Sequence, residues 1–337
     1  MKKIMKSEKL KEAKLLQNGK ARSEKNKTLS LSPSEVKKYD GLYLTINDDL
    51  SSKLVIENNV ILGDSFEVIK KLPDNSIDLL VVDPPYNLSK TYAAKNFNRM
   101  SDGDYEKWTR EWLSQIKPKL KKTASLYVCC DWESSLVIAR VLDELYIVQN
   151  RITWQREKGR GALSNWKNGM EDIWYATVSN QFTFNVNDVK IRKKVIAPYK
   201  TEEGEPKDWF ECKGTKFRDS FPSNFWDDIS IPYWSMKENT DHPTQKPEKL
   251  IAKLILASSN KGDLVFDCFL GSGTTAVAAK KLERKFSGIE LDKKYVAYSI
   301  KRLKDAVQNK KIQGFADGVF WERNTQAIQD RLDGKKK

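Results

Sequence analysis

The tetrapeptide Asp83-Pro84-Pro85-Tyr86 closes an apolar run, Asp78-Leu79-Leu80-Val81-Val82, that reads as a buried strand. The two prolines stop the strand and stiffen the loop. A carboxylate, a rigid backbone carbonyl and an aromatic ring are thereby presented together at a strand end, where open α/β sheets bind ligands. The set suits a flat heterocycle bearing an amino group: oxygens accept from the N–H groups and the ring stacks. Read alone, Asp83 is equally well a turn-capping residue.

A second group is Asp267-Cys268-Phe269-Leu270-Gly271-Ser272-Gly273-Thr274-Thr275. It follows an apolar strand, Leu264-Val265-Phe266, and precedes a helical stretch from Ala276 to Leu282. The next strand, Phe286 to Ile289, ends in Glu290. This is a βαβ unit with glycines at its turn and an acid suited to ribose hydroxyls at the second strand's tip. Gly271 to Ala276 also satisfies the dinucleotide pattern G-x-G-x-x-A, so a nicotinamide enzyme is a rival. Against it, the turn lies late in the chain and no hydride-transfer site accompanies it. A phosphate-binding P-loop is excluded, because no Lys follows Gly273.

Together with Asp241-His242-Pro243-Thr244-Gln245-Lys246-Pro247, these groups resemble the amino-methyltransferases of DNA, over roughly residues 55–305. The order (tetrapeptide, His-Pro-Thr-Gln-Lys-Pro run, glycine turn) is that of the beta class. The resemblance implies an α/β, circularly permuted, Rossmann-like class I methyltransferase fold: a mixed sheet with helices on both faces and an inserted target-recognition region. The family commonly has proline where Cys268 stands, which predicts a local packing difference.

The implied cofactor is S-adenosylmethionine. Gly271, Gly273 and Thr274 would form its cradle and Phe269 would line it. Asp267 would accept from the amino-acid ammonium, Glu290 from the ribose hydroxyls and Asp64 from the adenine amino group. Thr244 and Lys246 would face the carboxylate side, with Thr244 otherwise a helix cap and Lys246 otherwise a solvated charge. Asp83 and the Pro84 carbonyl, stiffened by Pro85, would accept from the target amino group, shifting its nitrogen toward tetrahedral geometry. Tyr86 would stack on a base everted from the duplex. Asp83 favours adenine N6 over cytosine N4, for which serine is usual. Methylation at cytosine C5 is excluded by the lack of a Pro-Cys pair. A DNA-binding module with a relic pocket and transfer to RNA are the remaining rivals. Family members are often dimers, and a cognate restriction endonuclease is an expected genetic partner.

Composition agrees with a polyanionic partner. The 337 residues carry 60 Lys/Arg against 46 Asp/Glu, a formal net charge of +14. Residues 1–27 hold ten basic residues against three Glu, as either a solvated tail or a DNA-contacting arm. Candidate DNA contacts are Lys90, Arg156, Lys158, Arg160, Trp166, Lys167, Arg192, Lys193 and Lys194, each otherwise ordinary surface. No apolar run suits a signal or a membrane span. Four cysteines without CxxC spacing predict a reduced, cytoplasmic setting, and the resemblance implies a prokaryotic, nucleoid-associated protein. A single histidine, His242, argues against a zinc or other metal site.

The chain divides into a basic, partly disordered tail (1–45), a catalytic half (46–184), a recognition region (185–240), a cofactor-binding half (241–309) and a C-terminal extension (310–337). Strands are expected at 60–62, up to 82, 124–130, 147–154 and 172–178; helices at 65–72, 133–145, 247–257 and 292–307. Tyr105, Trp108, Trp112 and Ile116 fall at helical spacing and read as core. Residues 87–103 read as a long polar loop, functional or mobile.

Overall fold

A computed structural model describes residues 23–329 apart from 89, 93–94, 157–164, 197 and 326–327, with backbone alone at 90–92 and 95–96. Its strands, in chain order, are β1 (Leu44–Thr45), β2 (Asn59–Leu62), β3 (Ile77–Val82), β4 (Lys90–Tyr92), β5 (Lys95–Phe97), β6 (Leu120–Cys130), β7 (Ile147–Gln155), β8 (Met170–Thr177), β9 (Ile191–Lys194), β10 (Phe210–Cys212), β11 (Thr215–Ser220), β12 (Phe225–Trp226), β13 (Leu264–Asp267), β14 (Lys285–Glu290), β15 (Phe315–Ala316) and β16 (Val319–Trp321).

Nine of these form the main sheet, in the order β1-β2-β14-β13-β3-β6-β8-β7-β12. Every neighbouring pair is parallel except those made by β8, which runs against β6 and β7. β3 and β13 are buried along most of their length, because helices cover both faces and the strands need apolar residues on both. Strand alternation then sorts side chains between two layers. Leu80, Val82 and Phe266 pack with helices Ser65–Lys71, Asp102–Ile116 and Trp132–Leu145. Leu79, Val81 and Val265 pack with Glu248–Ser258, Thr274–Lys281 and Lys293–Gln308. Cys268 is fully buried in the first of these cores.

The chain enters this sheet at β2 and β3 and supplies β13 and β14 last. β13 nevertheless lies between β14 and β3, so the carboxyl ends of β3 and β13 meet side by side. This is the permuted order that the sequence resemblance implies, and the crevice at that meeting point is where open α/β sheets bind ligands.

A second sheet, β10-β11-β9-β16-β15, joins strands from residues 191–220 to strands from residues 315–321. The parallel pairing of β9 with β16 is what links them. That sheet covers the outer side of helix Glu248–Ser258, through Val189, Ile191, Ile312 and Phe320 against Ala252 and Leu256. The helix is buried on every side, and its charged residues are paired. Lys249 and Lys253 both meet Asp228 at 2.7 Å, and Glu248 meets Arg302 at 3.0 Å and Lys281 at 2.6 Å.

Of the expected tail, residues 1–22 lie outside the described residues. From residue 23 the chain straps across the segment leading to His242: Leu29 N–H donates to the Asn239 carbonyl and Asp241 N–H to the Leu29 carbonyl. Residues 87–100 contain the hairpin β4–β5. Among the described residues no helix is long and apolar enough to cross a membrane.

Candidate active site

The tetrapeptide emerges from β3 into a cavity of about 440 Å³, within the range of small-molecule sites. Asp83 to Tyr86 line it on one side, and Asp267 to Ser272, Thr274 and Glu290 on the other. The Tyr105 hydroxyl donates to the Pro85 carbonyl at 3.0 Å and anchors the loop from behind. The Asn87 side chain accepts from Met100 N–H at 2.8 Å and donates to its carbonyl at 3.0 Å, clipping the two ends of the hairpin loop together.

Asp83 is the centre of a buried ionic cluster. The Tyr86 hydroxyl donates to Asp83 Oδ1 at 2.7 Å. Lys246 Nζ lies 2.7 Å from Asp83 Oδ2, 3.2 Å from Glu171 Oε2 and 3.0 Å from the Tyr86 hydroxyl. The three donors of the ammonium thus have three acceptors. Burial disfavours the Lys246 ammonium, but the Asp83 and Glu171 carboxylates outweigh it and hold the amine above its ordinary range. Burial, followed by the same two carboxylates, pushes the Tyr86 phenol well up, so it remains a donor. Glu171 completes the cluster through Arg156 Nη1, 2.5 Å from Oε1.

Two expectations change here. Lys246 turns toward Asp83, because a buried ammonium needs carboxylates and two are at hand. Thr244 does not cap the following helix. That helix starts at Glu248 with Pro247 as its cap residue, and Thr244 N–H instead donates to His242 Nδ1 at 3.3 Å. Glu171 was not anticipated. It is the second residue of β8, and because β8 runs antiparallel its first residues reach the edge where β3 and β6 end. The available signal was an acid pair, Glu171-Asp172, at the head of an apolar strand.

Across the cavity, Gly273 stands in the left-handed region at φ +83°, and a Cβ there would lie 2.5 Å from Ser299 Oγ. Gly271 N–H donates to Glu290 Oε2 at 2.7 Å and Asp292 N–H to Oε1 at 2.8 Å. Each Glu290 oxygen keeps a lone pair for a ligand hydroxyl. Asp267 accepts from Phe269 N–H at 2.9 Å and from the Thr275 hydroxyl at 2.7 Å. Burial raises both carboxyls, each to about 7. Thr274 is occupied, its hydroxyl accepting from Arg302 Nη1 at 3.0 Å. Asp64 caps helix Ser65–Lys71 through Phe66 N–H with one oxygen and lines the cavity.

Phe66, Phe97, Trp108 and Phe269 supply an aromatic wall. Trp108 stacks on Tyr105 at 5.6 Å and tilts against Phe269 at 5.7 Å. Of the helical stripe read as core, Tyr105, Trp112 and Ile116 are buried, whereas Trp108 faces the cavity. The glycine cradle, the paired-off but unsaturated carboxylates and the flat apolar wall fit S-adenosylmethionine, which offers hydroxyls, an ammonium and a purine.

The candidate DNA contacts divide. Lys158, Arg160 and the side chain of Lys90 lie outside the described residues. Arg156 is committed to Glu171. Arg192 is committed to both oxygens of Asp219, at 2.8 and 2.7 Å, and stacks near the Phe210 and Trp321 rings, so it holds the small sheet together. Trp166, 94% exposed, and Lys167, Lys193 and Lys194 remain at the surface.

Sheet order, cradle and acidic strand tips define a class I methyltransferase. The family model of the N6 and N4 DNA methylases matches residues 77–301. The chain is 32% identical over 252 residues to the type II methyltransferase M.HpaI of Haemophilus parainfluenzae, covering 74% of each. It is likewise 32% identical over 259 residues to the DNA adenine methyltransferase YhdJ of Escherichia coli K12, covering 72% of this chain and 82% of the relative. Among solved structures, the M1.HpyAVI complex with S-adenosylmethionine aligns with a TM-score of 0.50 at 25% identity, over 72% of this chain and 98% of that one. The cytosine-N4-specific PvuII methyltransferase shares the fold, with a TM-score of 0.55 at 19% identity, over 83% and 94%. The chain belongs to the DNA methylase family: it is an S-adenosylmethionine-dependent DNA amino-methyltransferase of the restriction-modification type.

Proposed function

We propose that the enzyme methylates N6 of an adenine everted from duplex DNA. The observation that carries this reading is the Asp83 carboxylate at the cavity edge, held by Tyr86 and Lys246 yet with an acceptor site left on each oxygen. The 32% identity to a relative named as an adenine methyltransferase supports it.

An exocyclic amino nitrogen is a poor nucleophile, because its lone pair is delocalised into the ring. Asp83 and the Pro84 carbonyl accept its two N–H groups and draw the nitrogen toward tetrahedral geometry, which frees the lone pair. When bound, S-adenosylmethionine supplies an electrophilic methyl on sulfonium. The amino group would gain that methyl as its bond to sulfur breaks, leaving the neutral thioether S-adenosylhomocysteine, and would lose one proton, for which an Asp83 oxygen is the first acceptor. Alignment supplies much of the rate gain. The Tyr86 ring, one wall of the cavity, stacks on the extruded purine; at about 1–3 kcal/mol this offsets part of an eversion cost of a few kcal/mol. Glu290 takes the ribose hydroxyls, Asp267 the ammonium, and Asp64 the cofactor's amino group through its free oxygen. Thr244, Phe269 and the turn from Gly271 to Thr274 enclose the rest.

Modified DNA digested to nucleosides should contain N6-methyladenine. N4-methylcytosine as the sole product would reverse the assignment while leaving the family intact.

A further inference from the structure

Among the described residues lining the cavity, Lys246 carries the one fixed positive charge. Asp64, Asp83, Asp267, Glu290 and Asp292 are the carboxylates of the same lining, and His242 lines the same wall. A cation there is a puzzle, because the methyl donor is itself a sulfonium. The methyl must reach a nitrogen held by Asp83, and Lys246 lies 2.7 Å from that carboxylate, so the two positive centres become neighbours. In a buried site such charges interact strongly. Asp83 alone cannot cancel Lys246 and also serve the substrate amino group. Glu171 stands behind Lys246, outside the cavity wall, with its carboxylate 3.2 Å from Nζ and 6% exposed. Arg156, on the far side of Glu171 with Nη1 2.5 Å from Oε1, is 37% exposed and does not line the cavity.

We propose that Glu171 is a positioning residue that cancels the charge of Lys246, so that the cavity prefers the sulfonium cofactor to its neutral thioether product, S-adenosylhomocysteine. Lys246 then orients Asp83 without repelling the methyl donor. The inference rests on S-adenosylmethionine dependence and not on the choice of adenine.

The test is binding rather than turnover. The full chain, wild type and variants, is titrated separately with S-adenosylmethionine and S-adenosylhomocysteine by calorimetry. In Glu171→Gln the preference for the sulfonium ligand should fall about tenfold, because one buried negative charge is lost. Lys246→Met should shift the preference the other way, and Lys246→Arg should leave it near wild type. The double variant Glu171→Gln/Lys246→Met restores the charge balance while removing both side chains' contacts, and its preference should return to within about threefold of wild type. A purely structural role for Glu171 predicts equal losses for both ligands and a double variant no better than the worse single one. Either result overturns the proposal. Should Glu171→Gln fail to fold, parallel changes in Lys246→Met suffice to reject it.

Discussion

At the scale of single residues, the proposed roles of Asp83 (acceptor for the target amino group) and Glu290 (acceptor for ribose hydroxyls) require their variants to fail differently. Asp83→Asn removes the anionic acceptor. It should lower turnover at least about 10²-fold, the size of a lost acid–base or acceptor group, while affinity for the neutral product S-adenosylhomocysteine stays within about twofold. Substantial residual turnover would contradict its role. Glu290 and Asp267 add a pH signature. Their buried carboxyls titrate at about 7, above the ordinary carboxylate range near 4. With the folded value raised, their contribution to stability is complete below about pH 4 and is lost as pH rises through 7. Ligand affinity moves in the opposite sense, because hydroxyls and an ammonium are best received by the ionised forms. The melting temperature without ligand should therefore fall from pH 5 to 8 while cofactor affinity rises, and Glu290→Gln should flatten part of both trends. That Asp83 and Glu290 border one cavity was legible because each sits at the end of an apolar strand. Glu171 was not, because its partners Tyr86 and Lys246 stand 85 and 75 positions away and only the antiparallel insertion of β8 brings them together.

At the scale of elements, the glycine turn is the least tolerant piece of backbone. Gly273→Ala combines a left-handed φ of +83° with a Cβ against Ser299, whose hydroxyl donates to the Gly271 carbonyl at 3.2 Å. Its cost should be about 2–4 kcal/mol in urea unfolding, with cofactor affinity falling as well. Gly41, also left-handed at φ +75°, has nothing within 4 Å of its Cβ site, so Gly41→Ala should cost only the conformational part. The strand before this turn was readable from the run Leu264-Val265-Phe266, because burial on both faces leaves no polar residue within it to blur the pattern. The small sheet was unreadable for the opposite reason. β9 reads Ile-Arg-Lys-Lys, and Arg192 becomes structural only once Phe210, Asp219 and Trp321 surround it. Trp108 shows the limit of periodicity: the stripe placed it correctly on the inward face of its helix, but could not show that this face borders a cavity there.

At the scale of the whole molecule, the +14 charge predicts DNA binding that weakens steeply with salt. The surface lysines and the half-buried Arg192 should separate in one experiment. Lys193→Ala, at an exposed position, should reduce the slope of log affinity against log salt by about one and leave the melting curve unchanged. Arg192→Ala should lower the melting temperature first, because it breaks a two-point ion pair and two ring contacts. An unchanged salt slope in Lys193→Ala would remove that residue from the DNA interface.

The permuted strand order also sets a timetable. β13 fills the gap between β14 and β3, yet it leaves the ribosome more than 180 residues after β3 does. Throughout that interval β3 carries a bare, apolar edge with only β6 beside it, an open template for wrong pairing. A chain cut short before Leu264 should therefore associate with itself rather than persist as a smaller enzyme. The newborn protein is most vulnerable at the seam that later becomes its catalytic crevice.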